Sequence, residues 1–179
     1  MSSHTLKLGF IGLGIMGGPM AHHLLKAGHQ LFTHTRSKTP EYLQQEGAVV
    51  CASATEVAQR ADCVFLMLPD TPDVELVLFG DQGVAQGLSK GKAVVDMSSI
   101  SPIATKEFAQ RITDLGCDYL DAPVSGGEVG AKNAALTIMV GGTSAAFERI
   151  KPLFELMGKN ITHVGGHGDG QTAKVANQI

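Results

Sequence analysis

Short runs of apolar residues alternate along the chain with longer segments of helical pattern. The apolar runs predict β-strands over residues 6–11, 30–34, 48–51, 63–68, 93–96, 117–120, 136–140 and 161–164. Several of these runs are apolar throughout, which is typical of parallel strands covered on both faces. The intervening segments predict helices, the clearest of which cover residues 19–25, 55–61, 73–79, 103–115 and 144–157. This alternation indicates an α/β fold with a doubly wound, mostly parallel sheet and right-handed crossovers.

A glycine fingerprint lies between the first predicted strand and the first predicted helix. It reads Gly12-Leu13-Gly14-Ile15-Met16-Gly17 and matches the pyrophosphate loop of a Rossmann-like βαβ unit. In such a loop the three glycines permit a tight turn, a close backbone approach to the phosphates, and close packing of helix on strand. A glycine-rich turn without a ligand is the alternative. The position between strand and helix favours a nucleotide site, to which all six residues are assigned.

The end of the second predicted strand indicates which dinucleotide binds. NAD-binding Rossmann units usually carry Asp or Glu about 20 residues after the fingerprint, where it accepts hydrogen bonds from the ribose. In this chain the first acidic residue is Glu41, and the strand is followed by Thr35, Arg36, Ser37 and Lys38. Arg36 offers a bidentate fork for a 2′-phosphate, and its neighbours add donors and charge. The sequence therefore predicts NADP, with NAD as the alternative and a solvated surface arginine as the competing interpretation.

Three further loops follow predicted strands, where ligands of open α/β sheets gather. Leu68-Pro69 follows the fourth strand, where adenosine or ribose would pass, and Ser99 follows the fifth, near the nicotinamide end. The loop after the sixth strand contains Ser125-Gly126-Gly127. Its hydroxyl and bare backbone N–H groups are suited to an anion. A Pro/Gly turn needed only for the topology is the alternative.

A helix predicted to begin near Gly170 carries Lys174 and Asn177 three residues apart, and therefore on one face. A lysine beside an amide, on the wall of a nicotinamide site, can deliver a proton to a carbonyl oxygen as hydride reaches its carbon. An ordinary exposed helix lysine is the alternative.

Composition narrows the class of protein. The 179 residues are 44% hydrophobic and 17% charged, with a net charge of −3, which indicates a globular domain without affinity for nucleic acid or anionic membranes. No apolar run reaches the roughly 18 residues of a membrane helix, and no secretory leader is recognisable. The three cysteines and seven histidines lack ligand spacing, so we expect reduced thiols and no metal site. These features predict a cytoplasmic protein that acts on a small molecule.

Three motifs in this order resemble those of the β-hydroxyacid dehydrogenase family, which includes 3-hydroxyisobutyrate dehydrogenase and 6-phosphogluconate dehydrogenase. The motifs are the glycine fingerprint, the run 121–127 and the run 170–177, and the similarity covers essentially the whole chain. The resemblance implies that Lys174 is the general acid of a hydride transfer, that Ser125, Gly126 and Gly127 hold the substrate carboxylate, and that Asn177 positions substrate or lysine. It also implies cofactor contacts from the glycine loop, Arg36, Leu68, Pro69 and Ser99.

The runs 96–100 and 164–166 are most similar to the branch of the family that reduces tartronate semialdehyde (2-hydroxy-3-oxopropionate) to glycerate with NADP(H). Dehydrogenation of 3-hydroxyisobutyrate or another β-hydroxy acid is the alternative within the family. A non-catalytic NADP-binding module and a protein-interaction scaffold are the alternatives outside it. The joint presence of Lys174, Ser125 and Asn177 argues against a non-catalytic module.

Two positions depart from the family pattern, because family members usually have Asn in place of His23 and Gly in place of Ala134. Family members also continue past the lysine helix into an all-helical domain that closes the active site and forms the subunit interface. The resemblance thus implies an NADP-binding Rossmann domain over 1–165 and the start of an interdomain helix over 166–179. We expect an isolated or truncated cofactor domain, and a homo-oligomer for a form that carries the helical domain.

Overall fold

The computed structural model describes residues 4–177. The strands are β1 (Lys7–Ile11), β2 (Gln30–His34), β3 (Val49–Val50), β4 (Cys63–Leu66), β5 (Ala93–Asp96), β6 (Asp118–Asp121), β7 (Val124–Ser125), β8 (Leu136–Gly141) and β9 (Gly158–Gly165). The helices are α1 (Gly17–Lys26), α2 (Glu41–Gln45), α3 (Ala54–Arg60), α4 (Thr71–Phe79), α5 (Pro102–Thr113), α6 (Gly127–Lys132), α7 (Ser144–Phe154) and α8 (Asp169–Asn177). One 3₁₀ turn covers Val84–Gly87.

The strands form a single nine-stranded sheet with a Rossmann-like parallel half. The parallel strands lie in the order β3-β2-β1-β4-β5-β6. This is the strand order of dinucleotide-binding folds, in which the chain reverses its direction of winding between β1 and β4. A crevice therefore opens at the carboxyl end of β1, directly before the glycine loop. The predicted doubly wound, mostly parallel sheet is confirmed.

The remaining strands extend the sheet by antiparallel pairing. β8 runs antiparallel to β6 and β7, and β9 runs parallel to β8. β6 and β7 lie on the same side of β8, because Asp121 pairs with Gly141 and Val124 pairs with Ile138. This arrangement brings the ends of β6 and β7 and the chain after β9 to one edge of the sheet.

The sheet is covered on both faces by separate hydrophobic clusters. Phe65 of β4 belongs to the cluster beneath α1 and α7, whereas its neighbours Val64 and Leu66 belong to the cluster beneath α3, α4 and α5. Successive strand residues point to opposite faces, so a strand covered on both sides needs apolar residues throughout. The unbroken apolar runs in the sequence have this cause.

Sequence patterns located most elements but misplaced several boundaries. Helix α4 begins at Thr71, two residues before its predicted start, because the Asp70 carboxylate accepts a hydrogen bond from the Thr71 N–H at 2.7 Å. The strand predicted over 63–68 ends at Leu66, and the helix predicted near Gly170 begins at Asp169. Helices α2 and α6 and strand β7 were not predicted, since each is too short to show a period.

The three cysteines lie in the interior of the fold. Cys51, Cys63 and Cys117 are buried free thiols, and burial raises the pKa of the Cys63 thiol to about 12. Within residues 4–177, no helix is both long enough and apolar enough to cross a membrane.

Candidate functional site

A cavity of about 580 Å³ opens at the carboxyl ends of β1, β2 and β4. This dinucleotide cavity lies where open α/β sheets bind their ligands. Of the residues predicted to meet the cofactor, Ser99 and Lys38 do not line this cavity, whereas the others do: Gly12, Leu13, Gly14, Ile15, Met16, Gly17, Thr35, Arg36, Ser37, Leu68 and Pro69.

The three fingerprint glycines differ in what they are needed for. Gly12 has φ +99°, and a Cβ there would collide with the Met67 carbonyl, whereas a Cβ at Gly17 would collide with the Gly12 carbonyl. The fold itself therefore requires these two glycines. A Cβ at Gly14 would meet no heavy atom within 4 Å. The open space before Gly14 leaves room for a bound group to approach the backbone.

The N-terminus of α1 is left free to meet an anion. No side chain caps this helix, and its first turn contains no acidic residue. In contrast, α3, α4, α5 and α7 are each capped by a Ser, Asp or Thr side chain. Unpaired N–H groups and the positive end of the helix dipole suit a phosphate. The donor set at this end of the cavity therefore fits a pyrophosphate.

The end of β2 places Arg36 at the cavity together with an acidic partner that was not predicted. The Arg36 side chain is 73% exposed, and its Nη2 donates a hydrogen bond to Asp73 Oδ1 at 2.8 Å. Asp73 lies in the first turn of α4 and lines the same cavity. The sequence lacks a carboxylate after β2, but the fold supplies one from a helix 37 residues further along the chain.

Ser99 lies apart from the other predicted cofactor residues. It is exposed, whereas its neighbour Ser98 is buried and ties two loops together. The Leu68 N–H donates a hydrogen bond to Ser98 Oγ at 2.8 Å. Ser98 thereby fixes the cavity wall that follows β4, and a cofactor contact from Ser99 stays a prediction.

The structure brings together two of the residues predicted to act on the substrate. Lys174 Nζ on α8 donates a hydrogen bond to Ser125 Oγ, at the end of β7, at 2.9 Å, and both residues are partly buried. Gly126 and Gly127, with φ of +131° and +61°, turn the backbone from β7 into α6. Asn177 lies three residues beyond Lys174 on α8 and is exposed. The 49 residues that separate lysine and serine in sequence show that the fold builds this pair.

Two buried side chains anchor the helix that carries Lys174. The Asp121 carboxylate accepts hydrogen bonds from the N–H groups of Gly168, at 2.9 Å, and Gln171, at 3.1 Å. The Gln171 side chain accepts one from the Ile100 N–H at 3.0 Å and donates one to the Ser98 carbonyl at 2.7 Å. Since Asp121 is 0% and Gln171 1% exposed, these bonds fix the start of α8 firmly against β6 and the loop after β5. Both residues belong to motifs that resemble those of the family, but no local sequence pattern indicates this anchoring role.

Two buried carboxyl groups lie beneath these loops, on paired positions of β5 and β6. Burial raises the pKa of Asp96 to about 7, against the opposing effect of hydrogen bonds from Ser98. Burial also raises the pKa of Asp121, although the Gly168 and Gln171 N–H groups oppose the shift. Both carboxyl groups therefore keep their protons to a higher pH than an exposed aspartate does.

Two positions depart from the family pattern, and the structure shows a hydrogen bond at one and an unusual backbone angle at the other. His23 Nε2 forms a hydrogen bond with the Ala131 carbonyl at 2.8 Å, which ties α1 to α6. Ala134 has φ +53°, in the left-handed region where a residue with a Cβ costs about 1–2 kcal/mol. Within residues 4–177, no group of three or more His, Cys, Asp or Glu is placed to hold a metal ion.

Comparison with known proteins agrees with this geometry. Residues 7–165 match the family described as the NAD binding domain of 6-phosphogluconate dehydrogenase. The chain is 62% identical over 174 residues to 2-hydroxy-3-oxopropionate reductase of Escherichia coli (strain K12), a match that covers 97% of this chain and 60% of that protein.

Solved structures show the same fold. A Mycobacterium tuberculosis 3-hydroxyisobutyrate dehydrogenase with L-serine superposes with a TM-score of 0.91 at 35% identity, over 97% of this chain and 59% of that one. Psf3 in complex with NADP+ and 2-OPP gives 0.90 at 31% identity, over 95% of this chain and 61% of that one. The chain thus spans about 60% of the length of these relatives.

Proposed function

The chain belongs to the β-hydroxyacid dehydrogenase family, and on this premise we propose that it is the cofactor-binding part of an NADP(H)-dependent reductase. The proposed reaction reduces 2-hydroxy-3-oxopropionate to glycerate. The observation that carries the proposal is the 2.9 Å hydrogen bond from Lys174 Nζ to Ser125 Oγ, since it joins the proposed acid to the proposed carboxylate loop. The 62% identity to the Escherichia coli reductase supports this substrate.

The dinucleotide cavity would hold the cofactor by its backbone and by the end of β2. The glycine loop and the N-terminus of α1 receive the pyrophosphate. Arg36, with Thr35 and Ser37 beside it, receives the 2′-phosphate, while Leu68 and Pro69 line the adenosine side of the cavity. Ser99 is assigned to the nicotinamide end. When bound, the reduced cofactor supplies a hydride to the aldehyde carbon of the substrate.

The chain's own residues supply the proton and hold the acid group of the substrate. The Ser125 hydroxyl and the Gly126 and Gly127 N–H groups bind the substrate carboxylate, and Asn177 orients substrate or lysine. As the aldehyde carbon gains hydride, its oxygen takes a proton from the Lys174 ammonium, which becomes a neutral amine and regains a proton from water. The aldehyde is reduced to a primary alcohol. A positioned general acid contributes typically about 10²- to 10⁴-fold in rate.

The structural comparison supports one alternative substrate. The Mycobacterium tuberculosis 3-hydroxyisobutyrate dehydrogenase superposes closely over 97% of this chain, so 3-hydroxyisobutyrate is the alternative. A non-catalytic NADP-binding module is disfavoured, because a helix anchored by buried Asp121 and Gln171 to present Lys174 to Ser125 serves no purpose in cofactor binding alone.

The proposal divides the chain into a Rossmann domain over 1–165 and the start of an interdomain helix, which carries Lys174, over 166–179. The first turn of α8 packs within the Rossmann domain, because Gly170 and Gln171 are buried there. A helical domain, a homo-oligomeric state and a cytoplasmic location belong to the same proposal for the whole protein.

The test is a substrate panel assayed on a chimera in which this chain replaces the matching portion of the Escherichia coli reductase. We expect NADPH-dependent reduction of 2-hydroxy-3-oxopropionate with a kcat/KM at least about tenfold above that for the aldehyde of 3-hydroxyisobutyrate, a difference of about 1.4 kcal/mol in transition-state binding. A reversed order would replace the proposed substrate by the alternative. A folded chimera that binds NADPH but reduces neither compound would favour the non-catalytic module.

A further inference from the structure

We infer that Asp73 is a specificity-determining residue of the dinucleotide cavity. It competes with a 2′-phosphate for Arg36, offers an acceptor to a 2′-hydroxyl, and thereby weakens the preference for NADP over NAD. The inference rests on the proposed role of Arg36 in binding the 2′-phosphate. Asp73 lies on a different element and limits that role.

Arg36 and Asp73 form an ion pair at the dinucleotide cavity. Arg36 follows β2, Asp73 lies in the first turn of α4, and both line the cavity. The guanidinium Nη2 donates to Asp73 Oδ1 at 2.8 Å, and Asp73 is only 24% exposed. The carboxylate is also favoured by the positive end of the α4 dipole. The carboxylate is thereby held in place, at hydrogen-bond distance from the group proposed to bind phosphate.

A 2′-phosphate that reaches Arg36 must share the guanidinium with this carboxylate. Arginine has five N–H donors in a rigid fork, so it can hold both groups, but it then brings two anions close together. Like charges at this distance repel. The binding of NADP therefore gains less from Arg36 than it would gain beside a neutral side chain.

A 2′-hydroxyl meets the opposite situation. Rossmann units that bind NAD present an acid that accepts hydrogen bonds from the ribose, and in this chain no acid follows β2 directly, since the first acidic residue is Glu41. Asp73 faces Arg36 from across the same cavity and places a carboxylate acceptor beside it. The Arg36–Asp73 pair thus contains a donor for one cofactor and an acceptor for the other.

The test compares Asp73→Asn with Glu75→Gln in the chain itself. Asparagine keeps the shape of Asp73 and removes its charge. Glu75 is exposed on the same helix and does not line the cavity, so its variant removes an equal charge at a matched place. Affinities for NADPH and NADH are measured by fluorescence titration, and 2′,5′-ADP and 5′-AMP compete for the adenosine end alone.

We expect Asp73→Asn to raise the ratio of NADPH to NADH affinity by about tenfold, the size of one charge-assisted interaction. The ratio of 2′,5′-ADP to 5′-AMP affinity should rise with it. Glu75→Gln should change both ratios less than about twofold, because Glu75 is exposed and does not line the cavity, and water and salt weaken the interactions of exposed charges. Asp73→Ser serves as a second variant should the asparagine variant fold poorly, as judged by circular dichroism.

The outcomes separate this inference from the proposed function. Unchanged ratios in both Asp73 variants, or an equal rise in Glu75→Gln, would overturn the role of Asp73. If Arg36→Ala still abolished the NADPH preference in that case, the proposed cofactor would stand. A parent chain that bound neither dinucleotide would overturn the proposed function, and the inference with it.

Discussion

The dinucleotide cavity and the lysine site are built in different ways, although they lie at the same end of the sheet. In the cavity, the residues proposed to meet the phosphates, Gly14 and Arg36, are exposed and follow the strands β1 and β2 directly. The lysine site depends on buried side chains from distant segments: Asp121 and Gln171 fix α8, and Ser125 receives Lys174.

Because of this difference, we expect a substitution to affect ligand affinity in one region and stability as well in the other. A local loop that follows one strand keeps its shape when an exposed side chain is removed, so changes there should alter ligand affinity and leave stability intact. A site assembled through buried hydrogen bonds couples stability to chemistry, because unpaired buried polar groups cost free energy. The following predictions test this contrast in order of decreasing effect.

The largest effect is expected from Lys174→Ala in the chimera described above. Loss of the general acid should lower kcat by about 10²- to 10⁴-fold, while the Kd for NADPH changes little because Lys174 does not line the dinucleotide cavity. Lys159→Ala, at an exposed position of β9, is the matched control and should keep full activity. Near-normal turnover of the Lys174 variant would assign the proton to another residue.

The next effect is on folding. Asp121→Ala should lower the free energy of unfolding by about 2–4 kcal/mol, because it leaves the buried Gly168 and Gln171 N–H groups without an acceptor. Asp118→Ala on the same strand removes an exposed ion pair with Arg149 and should cost at most about 1 kcal/mol. Urea unfolding of both variants measures the difference. Equal losses would show that α8 is not anchored by Asp121.

A third prediction concerns pH. The Asp96 pKa is raised from 3.8 to about 7 on folding, so the folded state binds more protons than the unfolded state between these values. Asp96 therefore stabilises the fold most at pH below about 4, and this contribution is lost as pH rises to about 7. Asp96→Asn should remove that decline, whereas Asp118→Asn should retain it. The comparison requires chemical unfolding at several pH values, and parallel curves for parent and Asp96→Asn would contradict the assignment.

The two regions also differ in how well the sequence alone predicted them. The glycine loop and Arg36 lie next to the strands that position them, so a local pattern sufficed to place them at one cavity. The roles of Asp73, Asp121 and Gln171 depend on contacts with residues 37, 47 or more, and 71 or more positions away. No local pattern encodes such contacts.

The family resemblance extended the prediction where local patterns ended. It assigned both Lys174 and Ser125 to the substrate site, and their side chains lie within hydrogen-bond distance. It also marked Ala134, whose positive φ explains why glycine is usual there. The resemblance did not identify Asp73, the acid that pairs with Arg36, because this residue belongs to none of the motifs.

The smallest of these effects is expected from Gly14→Ala, which tests directly where the pyrophosphate binds in the dinucleotide cavity. A Cβ at Gly14 meets no heavy atom of the protein, so the free energy of unfolding should change by less than about 1 kcal/mol. The methyl group would occupy the space into which the pyrophosphate comes closest, and NADPH affinity should fall at least about tenfold, or 1.4 kcal/mol. Gly17→Ala, whose Cβ collides with the Gly12 carbonyl, should instead destabilise the fold. If Gly14→Ala bound NADPH as tightly as the parent chain, the phosphates would lie elsewhere, and the loop would be a turn that the fold alone requires.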